Sequence, residues 1–317
     1  DFLIDHNQNY NEEPFLLVLS TVAAHSPFTV EDKYLTELDE LQDELIAPRT
    51  PNWNKVDNLD DHHTVISSQL EMTDQEIQES DYIFRHRLFT LKSVDDAIAE
   101  IYGYIQDEMS EDTLDNTYFI YTSDHGFHSG QFGMQFAKMQ LYDTDIRVPF
   151  FISNSGDNVY QGIMSDIMAN NIDVAPTILD LAGIDYTIET DMDGKSLLPY
   201  VIMQDEDGED IMEVDTDEEI IDDFSMFLVE YNGEGYNHYE YRMCDSHIDG
   251  FAPTQCDSWN NTFSCIRWVN NNNNDDFVYC NFQCYTEGRT ETECEIEYNN
   301  VELNGEYYNL NDDPWQM

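Results

Sequence analysis

The chain has 317 residues with 41% hydrophobic and 13% aromatic content, enough to bury a core of its own, which excludes a wholly disordered polyelectrolyte. Its 67 Asp and Glu against 12 Lys and Arg give a formal net charge of -55. A field of that sign repels nucleic acid and anionic membrane surfaces; it suits salty water, cations or a basic partner.

In chain order, the sequence opens at "DFLIDHNQ" without an initiator Met and closes at "NDDPWQM", which predicts a piece of something longer. "PFLLVLST" (Pro14 to Thr21) reads as a buried strand, followed by His25 in a loop that Pro27 stiffens. Val94, Ala97, Ile98, Ile101, Ile105 and Met109 recur at helical spacing, and Asp95 and Asp96 are expected in the first turn of that helix. "TYFIYTS" (Thr117 to Ser123) and "VPFFIS" (Val148 to Ser153) predict two more strands. "NIDVAPTILDLAGI" predicts a helix capped by Asp173, with Pro176 early and Gly183 as its terminator. Strands alternating with helices indicate an α/β domain built on a largely parallel sheet, spanning residues 1–203.

Residues 204–223, "QDEDGEDIMEVDTDEEIIDD", are nearly all acidic and read as a linker or exposed loop. Residues 224–317 then predict a small antiparallel subdomain. All six cysteines, Cys244, Cys256, Cys265, Cys280, Cys284 and Cys294, lie there, which favours disulfides in an oxidising compartment; their pairing does not follow from the sequence. A zinc cluster is the competing reading, against which no C-x-x-C pair occurs. Asn260 begins a glycosylation sequon, in keeping with a secreted or extracellular, or lysosomal, protein. No apolar run is long enough for membrane insertion.

The densest chemistry is "YTSDHGFHSGQFG", placed at the mouth of the strand "TYFIY". In open α/β sheets ligands sit beyond the carboxyl ends of strands, so Asp124 and His125 can both point at one cation there. An Asp capping a helix beside a satisfied His is the plainer alternative. Lys138 follows, one of few cations in the chain, able to neutralise an oxyanion or simply to form a surface ion pair. His25 at its own strand mouth could donate a proton, or be an ordinary structural His.

Together these segments resemble the sulfatases of the alkaline-phosphatase superfamily. "YTSDHGFHSGQFG" with "AKMQLYDTDIRVPFFIS" is similar to their second signature block. "APRTPNWN", "RHRLFTLKSVDDAI", "NNIDVAPTILDLAGI", "DMDGKSLLP", "FLVEYNGEGYN", "WNNTFSCIRWV" and "EYYNLNDDP" fit the N-acetylglucosamine-6-sulfatase branch in order. The resemblance implies an alkaline-phosphatase-like, mostly parallel sheet flanked by helices, and hydrolysis of sulfate from 6-O-sulfated N-acetylglucosamine or related sulfated glycans, as in glycosaminoglycan degradation. It implies Asp124 and His125 as ligands of one calcium ion, Lys138 and His25 as the catalytic contacts of the sulfate, and His128 as a substrate contact.

The C/S-x-P-S-R motif that yields the sulfatase formylglycine does not occur in these residues, nor does the family's early Asp-Asp calcium pair. The expectation is that an N-terminal fragment of the same precursor carries both and stays bound. Two other readings stand beside this one: a phosphodiesterase of the same superfamily using zinc, and a non-catalytic acidic glycoprotein derived from a sulfatase.

Overall fold

The structure, a computed structural model, describes residues 1–11, 13–67, 69–156, 159, 162–165, 167–185, 192–202, 226–232, 261–270, 275–282 and 305–317. The acidic stretch 204–223, Asn260, Cys244, Cys256, Cys284 and Cys294 lie outside these residues.

The described elements are α1 (Phe2–Asn9), α2 (Leu35–Glu40), α3 (Thr64–Ser67), α4 (Asp74–Glu108), α5 (Glu111–Asp115), β1 (Tyr118–Thr122), α6 (Asp143–Ile146), β2 (Phe150–Asn154), α7 (Val174–Leu181), β3 (Met226–Tyr231), β4 (Phe263–Asn270), β5 (Asp275–Phe282) and β6 (Gly305–Asn309). The expected helix around Val94 is the second half of α4, whose 35 residues begin far upstream. Its start is a capping box: Thr73 accepts from the Glu76 N–H while Glu76 reaches back to the Thr73 N–H. Asp95 and Asp96 are therefore mid-helix, and the Asp96 carboxylate pairs with Lys33 at 2.6 Å instead of with the helix dipole. The N-cap of α7 is Asp173, as expected, but its side chain makes no cap hydrogen bond within α7; it closes the capping box of the preceding 3-10 turn Asn171–Asp173, whose N-cap is Asn170. The Asp173 carboxylate accepts from the N–H groups of Asn170 and Lys195, and Gly183, at φ 68°, ends the helix.

Strands β1 and β2 form where expected but pair antiparallel, Tyr118 opposite Asn154 through Thr122 opposite Phe150. No parallel pair occurs among the described residues. An apolar run encodes burial, not the direction of its neighbour. The segment Pro14 to Thr21 departs further from expectation: it forms no regular element, joins no ladder, and leaves Leu16 63%, Val18 74% and the following Val22 74% exposed. Phe15 anchors it, packed with Phe119 of β1 against Leu3, Ile105 and Leu114.

The second sheet runs β3-β4-β5-β6, all antiparallel, with Cys265 opposite Cys280 and bonded to it as a disulfide. One face alternates inward through Phe263, Cys265, Val278, Cys280, Phe282 and Tyr308, while Ile266, Tyr279 and Tyr307 point outward. That inner face packs on Leu59, Ile66, Phe132, Leu141 and Tyr142, so the sheet and the α/β part share one core.

Inside that core Glu306 accepts four hydrogen bonds. The His63 N–H and Nδ1 reach one carboxylate oxygen at 2.5 and 2.7 Å; the Tyr142 and Tyr308 hydroxyls reach the other at 3.1 and 2.6 Å. Burial alone raises the Glu306 carboxyl, but hydrogen bonding and attraction to His63, with the Tyr308 hydroxyl, hold it below its ordinary value. Burial, and then the Glu306 charge, push both tyrosines above theirs.

Candidate active site

Asp124 follows the end of β1 on a turn that the backbone fixes from both sides. The Gly126 and Phe127 N–H groups donate to the Asp145 and Thr144 carbonyls at 2.7 and 2.6 Å, and a Cβ on Gly126 would meet the Thr144 oxygen at 2.2 Å. The Ser123 hydroxyl donates to the His125 carbonyl, and the Asn171 amide donates to the carbonyls of Ser123 and Asp124, tying the turn to the approach to α7.

After this turn the chain doubles back. His128 and Ala137 form an isolated antiparallel bridge, and the tight turn between them uses Gly130 at φ 101° and Gly133 at φ 75°. The Trp53 indole N–H donates to the Ser129 carbonyl at 3.1 Å and lies against Gly130, where a Cβ would come within 2.1 Å of the ring nitrogen. Gly130→Ala is therefore expected to destabilise the protein by about 2–4 kcal/mol, from the positive φ and the overlap, read as a lowered urea midpoint with unchanged slope.

The hairpin brings Lys138 back to the turn. Its ammonium donates to His125 Nε2 at 2.6 Å, and an Asp124 oxygen lies 3.3 Å from the same nitrogen. The other ring nitrogen, Nδ1, donates to the Gly126 carbonyl at 2.7 Å, so the lone pair of Nε2 is the one that faces outward. A carboxylate oxygen and an imidazole lone pair thus converge where a positive charge already sits. This fits one side of a cation's coordination shell, with a carboxylate oxygen as the hard ligand. Among the described residues no cluster of three His, Cys, Asp or Glu completes it. Calcium takes 6–8 oxygens as a rule, so the Asp124 carboxylate fits part of the shell and the His125 nitrogen would be an additional, softer donor.

The other expected residues fall in different settings. His128 is 2% exposed; its Nδ1 lies 2.9 Å from the buried Asp145, which also accepts the Gln140 N–H, while its Nε2 is buried without a hydrogen-bond partner. His25 lies in an exposed loop where, among the described residues, its ring hydrogen-bonds only to Ser26, and no hydrogen bond joins it to Asp124, His125 or Lys138. The structure thus brings together Asp124, His125 and Lys138, and leaves His25 outside that cluster.

Sequence reasoning missed three contributors. Asp145, inside "YDTDIRVP", orients His128; Asn171 pins the turn; and Arg87, inside "RHRLF", stacks on Phe127. The last was within reach, because Arg is scarce in this composition.

Residues 1–184 match the family model described as Sulfatase. The chain is 34% identical over 316 residues to the N-acetylglucosamine-6-sulfatase of Bos taurus, covering 97% of this chain and 48% of that protein. To the Homo sapiens protein of the same name it is 34% identical over 326 residues, 100% of this chain and 50% of the relative. To the extracellular sulfatase SULF-1 homolog of Drosophila melanogaster it is 33% identical over 201 residues, 63% of this chain and 17% of the relative. The chain spans about half the length of the N-acetylglucosamine-6-sulfatases it matches. With the Asp124 turn inside the matched region and the likeness extending through β6, the chain belongs to the sulfatase family, in its N-acetylglucosamine-6-sulfatase-like branch.

Proposed function

We propose that the protein is a sulfuric ester hydrolase that removes sulfate from 6-O-sulfated N-acetylglucosamine or related sulfated glycans. The observation that carries this reading is the meeting of Asp124, His125 and Lys138 at the end of β1. A carboxylate, an imidazole lone pair and an ammonium are the groups needed to seat one divalent cation beside an oxyanion.

In this reading Asp124 and His125 hold calcium. When bound, calcium withdraws charge from the sulfate oxygens, while a formylglycine supplies the attacking oxygen. Lys138 neutralises the sulfate as a point charge. His25, exposed and bonded only within its own loop, donates a proton to the sugar oxygen as the S–O bond breaks. His128, oriented by Asp145, is assigned the substrate contact, its buried Nε2 being the ring atom left without a hydrogen-bond partner.

The formylglycine belongs, in this proposal, to an N-terminal fragment of the same precursor, because no C/S-x-P-S-R occurs in these residues. Support comes from the Pro14 to Thr21 segment. An apolar stretch outside any ladder with Leu16, Val18 and Val22 in solvent is a surface that proteins otherwise cover. The three parts of the chain, 1–203, 204–223 and 224–317, are then the remainder of an alkaline-phosphatase-like domain with a mostly parallel sheet, an acidic linker and a disulfide-bonded subdomain. A secreted or lysosomal setting is supported by the Cys265–Cys280 bond. No helix among the described residues is long and apolar enough to cross a membrane.

The test is purification of the native assembly. A polypeptide carrying C/S-x-P-S-R copurifies, and the assembly releases inorganic sulfate from N-acetylglucosamine 6-sulfate, with loss of activity on calcium removal and recovery on its return. An assembly holding paired zinc and cleaving phosphate diesters would overturn the reading, as would sulfate release by residues 1–317 alone.

A further inference from the structure

Arg87 is the cation for which the site described above has no use. Its guanidinium carbon lies 3.4 Å from the centroid of the Phe127 ring, and its Nε is buried without a hydrogen-bond partner. Five other described cations pair with carboxylates, Lys33 with Asp96, Arg49 with Asp81, Lys55 with Asp57, Lys92 with Glu37 and Arg267 with Asp143 and Asp276, while Arg85 donates to the Leu45 carbonyl and Lys138 to His125. In a chain with 67 acidic residues and 12 basic ones, a half-buried Arg with no ion pair among the described residues is a charge kept clear of carboxylates. Burial pushes its guanidinium down to about 10, so it stays cationic at neutral pH while carrying an unrepaid desolvation cost.

Its place ties it to the site. Phe127 stands two residues after His125, so their Cα atoms are at most about 7 Å apart. Phe127 in turn lies 6.4 Å from Phe136, nearly parallel at 12°, and Phe136 is two residues before Lys138. The ring face under Arg87 is thus attached at both ends to the donors that converge on the cation position. A guanidinium held flat on an aromatic face has its orientation set by the stack and keeps its planar fork for a bidentate oxyanion.

We propose that Arg87, backed by Phe127, recognises a second anionic group of the substrate, a carboxylate or sulfate borne by the glycan next to the ester that is cleaved. This rests on the sulfate-ester reading of the Asp124 turn and adds a specificity residue to it. The role explains how a protein at -55 retains a polyanionic ligand: the repulsion is general, and the attraction is concentrated at two cations beside the turn.

The test is chemical protection in the native assembly, independent of turnover. Arg87 is modified with p-hydroxyphenylglyoxal and Lys138 with sulfo-N-hydroxysuccinimide acetate, each followed by peptide mass spectrometry at constant ionic strength. The probes are N-acetylglucosamine 6-sulfate, with one anion, glucosamine N,6-disulfate, and a 6-sulfated disaccharide with a uronate, the last two separating a sulfate from a carboxylate partner. Either two-anion probe is expected to slow Arg87 modification by about fivefold or more, while the single-anion probe protects Lys138 and leaves Arg87 within about twofold. Arg87→Met, which keeps the packing on Phe127, removes the affinity advantage of the two-anion probes. Protection of Lys138 with no effect on Arg87 by any probe overturns this inference alone; protection of neither residue overturns the sulfate reading with it. Equal protection of Arg87 by all three probes overturns the assignment of a second group.

Discussion

Replacing Lys138 with alanine in the calcium-loaded assembly is expected to lower kcat for an aryl sulfate by about 10²–10³, the usual cost of removing one preorganised group from a developing oxyanion. In the structure the ammonium occupies the His125 lone pair that calcium would take, so calcium binding would free it beside the cation, where the sulfate is held. Lys138→Arg should recover little of the loss, since a planar fork cannot occupy the place of a compact point charge against one ring nitrogen. Calcium affinity provides the control. It is unchanged or raised in Lys138→Ala, because the variant removes a competing cation from Asp124 and His125, whereas Asp124→Ala lowers it. An Ala variant that retains the wild-type kcat would remove Lys138 from the mechanism.

Glu306→Ala is expected to cost about 3–5 kcal/mol of stability, measured as a drop in the urea midpoint. The substitution strands the His63 N–H, the His63 ring and two tyrosine hydroxyls in a dry interior. Glu306→Gln keeps the shape but loses the charge, and should cost less. The pH dependence follows from the direction of the shift. The folded carboxyl titrates below its ordinary value of 4.5, so its stabilisation is fully present above about pH 4.5 and drains away as the pH falls through the lower folded value. Wild type should therefore lose stability faster than Glu306→Gln on acidification through that window. Parallel pH profiles of the two proteins would refute the assignment.

How much of this was legible beforehand depended on whether the signal was local. The Asp124-His125 turn could be found because an apolar strand, a glycine and ionisable residues are consecutive, and β1, β2 and the end of α7 at Gly183 were likewise written in short runs. The beginning of α4 was equally local, in Thr73 and Glu76, but its polar first turns hide the helical period on which the reading relied. Other features depend on distant partners. "PFLLVLST" states that a backbone wants neighbours without saying where they are. Glu306 in "NGEYYNL" looks like a surface glutamate, because the residues that hold it, His63 and Tyr142, are 243 and 164 positions away. His25 has the right residue type after a run that reads as a strand, yet that run forms no strand and the structure leaves His25 outside the cluster.

The contacts of Trp315 and Gln316 have a mechanical consequence. The Trp315 carbonyl accepts from the Asn52 amide, the Gln316 carbonyl contacts His62, and the Gln316 side chain accepts the Asp143 N–H. Asn52 in turn receives the Phe132 N–H at its carbonyl, in the same turn that returns Lys138 to His125. Displacement of Trp315 and Gln316 would therefore be transmitted as misalignment of the reactive cluster before it appeared as global unfolding.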